Sequence, residues 1–298
     1  MRAFLAAVMA LALSGCLGPP GGLPDAEALG RPDRYFDAML GVPGKERNTR
    51  IAAHIRGDPV GRPLIFVHGT PGSASVWTDM MAAGDGKFMM IAIDRPGFGD
   101  SEPGTAVTSL ADQARALLPI LEKHAGRKPI LIGHSLGGPI VAKAAAMYPD
   151  LVGGLVIAAG AFDPALEKVY ALQYLGESFL LRWALPRTLR NANRELIALE
   201  PELEELAGAL GGIRVPVAIV HGTKDKQVPY ENVGFLTERL KGVAVPRLTR
   251  IEGGNHFLPW NGIAELWQAI DSIDAAIAEQ ERVQDGVGDD RRSSVTKE

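Results

Sequence analysis

The chain has one cysteine, Cys16, in 298 residues. No disulfide can form within it, so a folded domain must be held by its core and not by cross-links. The apolar run Ala3 to Leu13 falls well short of the ~20 residues needed to span a bilayer. Basic residues are not in excess. A formal net charge of −4 gives no electrostatic footprint for nucleic acid. No internal repeat occurs, no Cys/His cluster has metal-ligand spacing, and no Gly-x-Gly-x-x-Gly follows a strand. A metal site is therefore not expected, and the chemistry should need no cofactor. Hydrophobic residues make up 46% of the chain, enough for one large core.

What is present centres on Ile130-Leu131-Ile132-Gly133-His134-Ser135-Leu136-Gly137-Gly138. An apolar β-type run meets Gly-x-Ser-x-Gly, and a helix-like segment through Ala142 to Ala146 follows. A serine on such a strand-to-helix turn is a nucleophile elbow, which lifts Oγ above the sheet edge. A serine hydroxyl needs a base to take its proton, and the base needs a third group to orient it. The expected chain order is serine, acid, histidine. Downstream, the strand-like Val215 to Val220 runs into His221-Gly222-Thr223-Lys224-Asp225, and Leu248 to Glu252 runs into Gly253-Gly254-Asn255-His256-Phe257. Ser135, Asp225 and His256 thus follow β-type runs in the required order. Asp163, in Ala161-Phe162-Asp163-Pro164, is the rival acid. Oxyanion donors are expected from the backbone N–H of Leu136 and from the loop His68-Gly69-Thr70-Pro71-Gly72 after the strand Pro63 to Val67. Proline has no N–H, so Thr70 is the candidate there, and His68 reads as structural.

These segments, together with Asp94-Arg95-Pro96-Gly97-Phe98-Gly99-Asp100-Ser101 after an apolar run, resemble the α/β-hydrolase family from about Arg50 to about Ala278. The resemblance implies a mostly parallel, doubly wound α/β sheet with a small helical cap inserted after the sixth strand. It makes Asp94 a structural carboxylate. A serine at position 135 is similar to esterases, lipases and C–C hydrolases, and unlike the Asp-nucleophile dehalogenases and epoxide hydrolases. The implied activity is hydrolysis of small or medium apolar carboxylic esters through an acyl-enzyme. C–C bond hydrolysis or perhydrolysis by the same residues is the alternative. A non-catalytic tethered binding protein is the reading from another class.

About 55 residues separate the strand at Leu155 from that at Val215, too many for a plain loop. Helical periodicity there, interrupted by Pro186 and Pro201, predicts short helices over about 161–212, the implied cap. Tyr170, Tyr174, Phe179, Leu180 and Trp183 are candidate pocket residues within it. Trp77, His134 and Trp260, beside the oxyanion and histidine loops, are others. Elsewhere, Ser109 caps a helix carrying Leu110, Ala114, Leu117, Leu118 and Leu121, which Pro119 should bend. Ile263, Leu266, Trp267, Ile270, Ile273 and Ile277 mark a final amphipathic helix.

Arg2 precedes the apolar run, which ends in Leu13-Ser14-Gly15-Cys16. A positive start and a short apolar core describe a secretory signal peptide over 1–15. The last four residues resemble the lipobox of bacterial lipoproteins, in which the cysteine is lipidated and becomes the new N-terminus. An ordinary signal peptide with an incidental Cys16 is the alternative. Leu17 is not the Asp of inner-membrane retention, which favours the periplasmic face of the outer membrane. A diacyl anchor holds well, at about 0.8 kcal/mol per buried CH₂. Residues 16–32 are rich in Gly and Pro and read as a tether, 33–281 as the hydrolase domain, and the polar 282–298 as a disordered tail. The expected partners are a small ester substrate and a membrane met through the anchor; the domain itself is expected to be a monomer.

Overall fold

The computed structural model describes residues 29–41, 44–169, 173–174 and 185–295, with side chains of the final helix described to residue 283. Strands β1 (Arg34–Leu40) and β2 (Arg47–Gly57) pair antiparallel, and β2 pairs antiparallel with β4 (Met89–Ile93). The remaining strands, β3 (Pro63–Val67), β5 (Ile130–His134), β6 (Gly154–Ala158), β7 (Val217–Gly222) and β8 (Arg247–Ile251), join β4 in parallel. Among the described residues this makes one eight-stranded sheet in the order β1-β2-β4-β3-β5-β6-β7-β8.

The inner strands are continuous apolar runs because both faces of the sheet are covered. Every residue of β3, β5, β6 and β7 is buried. Side chains alternate between two layers, as the period of 2 requires. Ile65 and Val67 enter one core with Leu117, Ile140 and Leu203. Leu64 and Phe66 enter the other with Trp77, Met80, Leu266 and Ile270. The helices are α1 (Thr78–Ala82), α2 (Leu110–Arg115), α3 (Leu118–Lys123), α4 (Gly137–Met147), α5 (Arg187–Ala209), α6 (Glu231–Arg239), α7 (Leu258–Asn261) and α8 (Ile263–Val295). This is the mostly parallel, doubly wound sheet that the sequence implied.

Three details differ from the sequence expectations. The helix capped by Ser109, whose side chain accepts from the Asp112 N–H, is not bent at Pro119 but divided before it into α2 and α3. Pro119 sits in the first turn of α3, where a missing N–H leaves no bond unmade. Conversely, Pro201 does not split the insertion between β6 and β7: α5 runs for 23 residues through it. Leu199, Leu203 and Leu206 of α5 are buried in the core, and that packing outweighs the one backbone bond a proline removes. Lastly, where a disordered tail was expected from 282, α8 continues to Val295. Helix propagation adds a local hydrogen bond per residue once a packed nucleus exists, and needs no apolar stripe of its own. The leader, Cys16 and most of the tether lie outside the described residues.

All the parallel strands end on one edge of the sheet, where ligands collect in open α/β folds. That edge carries the loops after β3, β5, β7 and β8.

Candidate active site

The turn after β5 is strained at its centre. Ser135 has φ +54°, a region disfavoured for any residue with a Cβ and typically costing about 1–3 kcal/mol. Its surroundings hold it there. The Ser135 N–H donates to Ala158 O at 3.0 Å, and Ser135 O accepts from the Gly138 N–H at 2.9 Å. The flanking glycines are steric requirements. A Cβ on Gly133 would lie 2.3 Å from Gly137 O, and one on Gly137 would lie 2.2 Å from Val67 O. Helix α4 can therefore start directly against β3 and carry the serine up to the sheet edge.

Asp225 and His256 come from neighbouring loops because β7 and β8 are adjacent, with Gly222 opposite Ile251. Two backbone bonds stitch the loops together, Thr223 N–H to Ile251 O at 3.0 Å and Lys224 N–H to Gly254 O at 2.8 Å. Asp225 Oδ1 accepts from the Gln227 and Val228 N–H groups at 2.8 and 2.9 Å. Its Oδ2 lies 2.7 Å from His256 Nδ1. Burial alone would raise the Asp225 pKa, but the His256 bond and charge and the two N–H donors outweigh it and hold the carboxyl below its ordinary value. The carboxylate is thus ionised and only accepts, so His256 Nδ1 carries the proton. In the neutral ring Nε2 then keeps its lone pair.

Ser135 and His256 line one small cleft with Gly69, Thr70, His134 and Trp260. His134 Nε2 lies 2.8 Å from His256 O. A carbonyl only accepts, so His134 donates. Burial, then the neighbouring His256, drives the His134 pKa down to about 3, and the ring is neutral. It packs 4.7 Å from the His256 ring, centroid to centroid.

The loop after β3 passes very close to the serine: a Cβ on Gly69 would lie 2.7 Å from Ser135 Cβ. Neither the Thr70 nor the Leu136 backbone N–H has an acceptor among the described residues. His68 is fully buried and is neutral, its pKa pushed well below the ordinary value by burial and then by the Arg95 charge. Asp94 serves the loops: Oδ1 accepts from the Ala74 N–H at 2.7 Å and Oδ2 from the Asp100 N–H at 2.8 Å.

Not every expected residue reaches the cleft. Trp77 does not line it. The 3-10 turn Ala74–Trp77 directs its indole into the core, 0% exposed, against Phe66 at 5.1 Å, while Val76 faces the cleft. Tyr170, Phe179, Leu180 and Trp183 lie outside the described residues, and Tyr174 is exposed. Asp163 caps a 3-10 turn by accepting from the Ala165 N–H at 3.0 Å; His256 meets Asp225 instead. Sequence reasoning missed Gln227 and Phe257 as lining residues, and it missed the pairing of Arg95 with Glu195. Gln227 and Phe257 were signalled by standing next to Asp225 and His256. Nothing in the sequence marks Glu195.

Comparison with known proteins agrees with the architecture. A family model described as alpha/beta hydrolase fold matches residues 62–193. A 2-(acetamidomethylene)succinate hydrolase of Mesorhizobium japonicum is 36% identical over 122 residues, 40% of this chain and 42% of that protein. A pimeloyl-[acyl-carrier protein] methyl ester esterase of Vibrio cholerae is 28% identical over 204 residues, 57% of this chain and 78% of that one. The match thus spans less than half of the Mesorhizobium protein. Among solved structures, a thermophilic esterase from Thermogutta terrifontis superposes with a TM-score of 0.61 at 17% identity, covering 82% of this chain and 99% of that one.

Proposed function

From its place among proteins of the α/β-hydrolase fold, we propose that this chain is a serine hydrolase of small or medium apolar carboxylic esters. The observation that carries the reading is the ionised Asp225 bonded at 2.7 Å to His256 Nδ1, with His256 and a strained Ser135 lining one cleft. Ser135 Oγ attacks the ester carbon as its proton passes to His256 Nε2. The imidazolium, stabilised by Asp225, returns that proton to the departing alkoxide. A water then repeats the cycle: it attacks the acyl-enzyme, gives its proton to His256, and Ser135 leaves reprotonated. The Thr70 and Leu136 N–H groups hold the oxyanion in both halves. Every step moves a proton or a C–O bond within this set, so neither metal nor cofactor is called for. Trp260, Phe257 and Val76 give the cleft an apolar wall suited to an acyl chain.

The test is turnover of p-nitrophenyl butyrate with labelling by a fluorophosphonate probe. Wild-type protein should do both and Ser135→Ala neither. Full activity in the Ala variant would remove the nucleophile assignment. Where the protein works is part of the proposal. The Leu13-Ser14-Gly15-Cys16 pattern supports lipid anchoring in a bacterial envelope, outside the cytoplasm. Cys16→Ser should release the protein from membranes or leave an unprocessed precursor; a processed, membrane-bound variant would refute the anchor.

A further inference from the structure

Arg95 and Glu195 are 100 residues apart in the chain and form an ion pair at 2.7 Å, with side chains 0% and 2% exposed. The pair is bidentate: Arg95 Nη1 donates to Oε1 and Nη2 to Oε2 at 3.0 Å. Such a pair is costly to bury, and its position relates it to the cleft. Arg95 Nη2 also donates to Gly69 O at 3.0 Å. The same carbonyl lies 2.7 Å from His68 Nδ1. His68 Nε2 accepts from the Arg95 backbone N–H at 3.0 Å, so in a neutral imidazole Nδ1 carries the proton and donates to Gly69 O. Two donors therefore converge on one carbonyl oxygen.

That oxygen belongs to the peptide unit whose N–H is Thr70's. The unit is planar and trans, so fixing C=O fixes N–H pointing the opposite way. We infer that Arg95 and Glu195 are positioning residues: through Gly69 O they set the direction of the Thr70 N–H, and through Glu195 they make that direction depend on where α5 sits. The inference rests on the proposed role of Thr70 in holding the oxyanion.

Helix α5 is well placed for this. Arg187, Asn191 and Glu195 are spaced four apart and so share one face. Arg187 donates to Gly99 O, and Asn191 Nδ2 donates to Gly97 O at 2.7 Å. Further along, Glu202 accepts from the Leu110 N–H at 2.7 Å. Gln113 Nε2, from α2, is a third donor to the Glu195 carboxylate, meeting Oε1 at 3.0 Å. The loop after β4, the loop after β3 and the inserted helix are thereby coupled through one carboxylate. A substrate that shifts α5 on entering would alter the aim of the oxyanion donor.

The experiment compares p-nitrophenyl butyrate with its thionoester, in wild type, in Glu195→Gln and in the double variant Arg95→Met/Glu195→Leu. The double variant leaves no buried charge behind, and so guards against misfolding of the single one. Sulfur accepts hydrogen bonds weakly, so a thionoester gains little from the oxyanion donors. Losing one donor outright costs about 10²–10³-fold in kcat. A misaimed donor should lower ester kcat about tenfold or more with KM within about twofold, and lower thionoester turnover much less. Equal losses on both substrates, or none, would overturn the inference. A readout independent of turnover is the Thr70 amide resonance in ¹⁵N-threonine-labelled protein, with Thr249 on β8 as the distant reference. It should shift or broaden in both variants while Thr249 does not; an unmoved Thr70 amide also overturns the inference. If wild type hydrolyses neither ester, the proposed activity fails, and the Thr70 amide still decides the coupling.

Discussion

Replacing Asp225 by Asn should nearly abolish turnover while leaving the fold in place, and the hydrogen bonds give the reason. Oδ1 accepts two backbone N–H groups, from Gln227 and Val228. Asn keeps one acceptor, and those two donors claim it. The amide NH₂ must then face His256 Nδ1 and donate to it. Nδ1 becomes the acceptor, the ring proton moves to Nε2, and the atom that should take the Ser135 proton already carries one. In a Ser-His-Asp enzyme such a tautomer swap lowers kcat about 10⁴-fold, which corresponds to about 5 kcal/mol of transition-state stabilisation. The backbone bonds survive, so the thermal midpoint should shift by only a few degrees. The assay is kcat for p-nitrophenyl butyrate, with Asp163→Asn as control. The Asp163 carboxylate accepts from the Ala165 N–H of its own turn, and its backbone N–H donates to Asn232 Oδ1, so that control should stay within about twofold of wild type. If Asp225→Asn keeps more than a tenth of wild-type kcat, or if Asp163→Asn falls instead, the assignment of the acid is wrong.

Acidification should remove stability through the buried histidines, while Glu167, its carboxyl raised to about 7 by burial, opposes them over the same range. His134, His68 and His221 all have pKa values lowered by burial, His134 to about 3. The unfolded chain binds these protons near 6.5 and the folded one resists them, so stability falls as pH drops below about 6.5, for His134 by about 1.4 kcal/mol per pH unit. For His134 that window runs down to about 3. Urea titrations at pH 7 and 4.5 should differ by about 3 kcal/mol from His134 alone, and His134→Gln should recover most of it; an unchanged pH slope in that variant would refute the account. Gly69→Ala should cut kcat sharply, because its Cβ would meet Ser135 Cβ at 2.7 Å; kcat above half of wild type would show that the loop gives way. Glu195→Gln should lower unfolding free energy by about 3–5 kcal/mol and Arg95→Met/Glu195→Leu by much less, since one leaves a buried charge and the other none. Equal losses in the two would contradict this.

The sequence spoke most clearly where signals are local. Ser135, Asp225 and His256 each stand within a few residues of an apolar strand, and the parallel order of those strands carries them to one edge. The place of Thr70 on the cleft was legible for the same reason, in the loop that follows an apolar strand. Long-range packing was not legible. Glu195 looks like any helical surface glutamate until α5 is seated over Arg95. Trp77 reads as a lining residue until the 3-10 turn is seen to point it inward. Pro201 reads as a breaker, because the burial of Leu199 and Leu203 that overrides it depends on packing against α4, distant in the chain.

The positive φ of Ser135 sets this protein's usefulness against its durability. Glycine would occupy the same turn without strain, and would leave the glycines around it, Gly69, Gly133 and Gly137, with at least as much room. A copy of this chain released from any demand for turnover would therefore gain stability of about 1 kcal/mol by a single change at position 135, and selection on folding alone would favour that change. Under the proposed mechanism the hydroxyl is what that strain is kept for, and the backbone angle is then part of what turnover costs the fold.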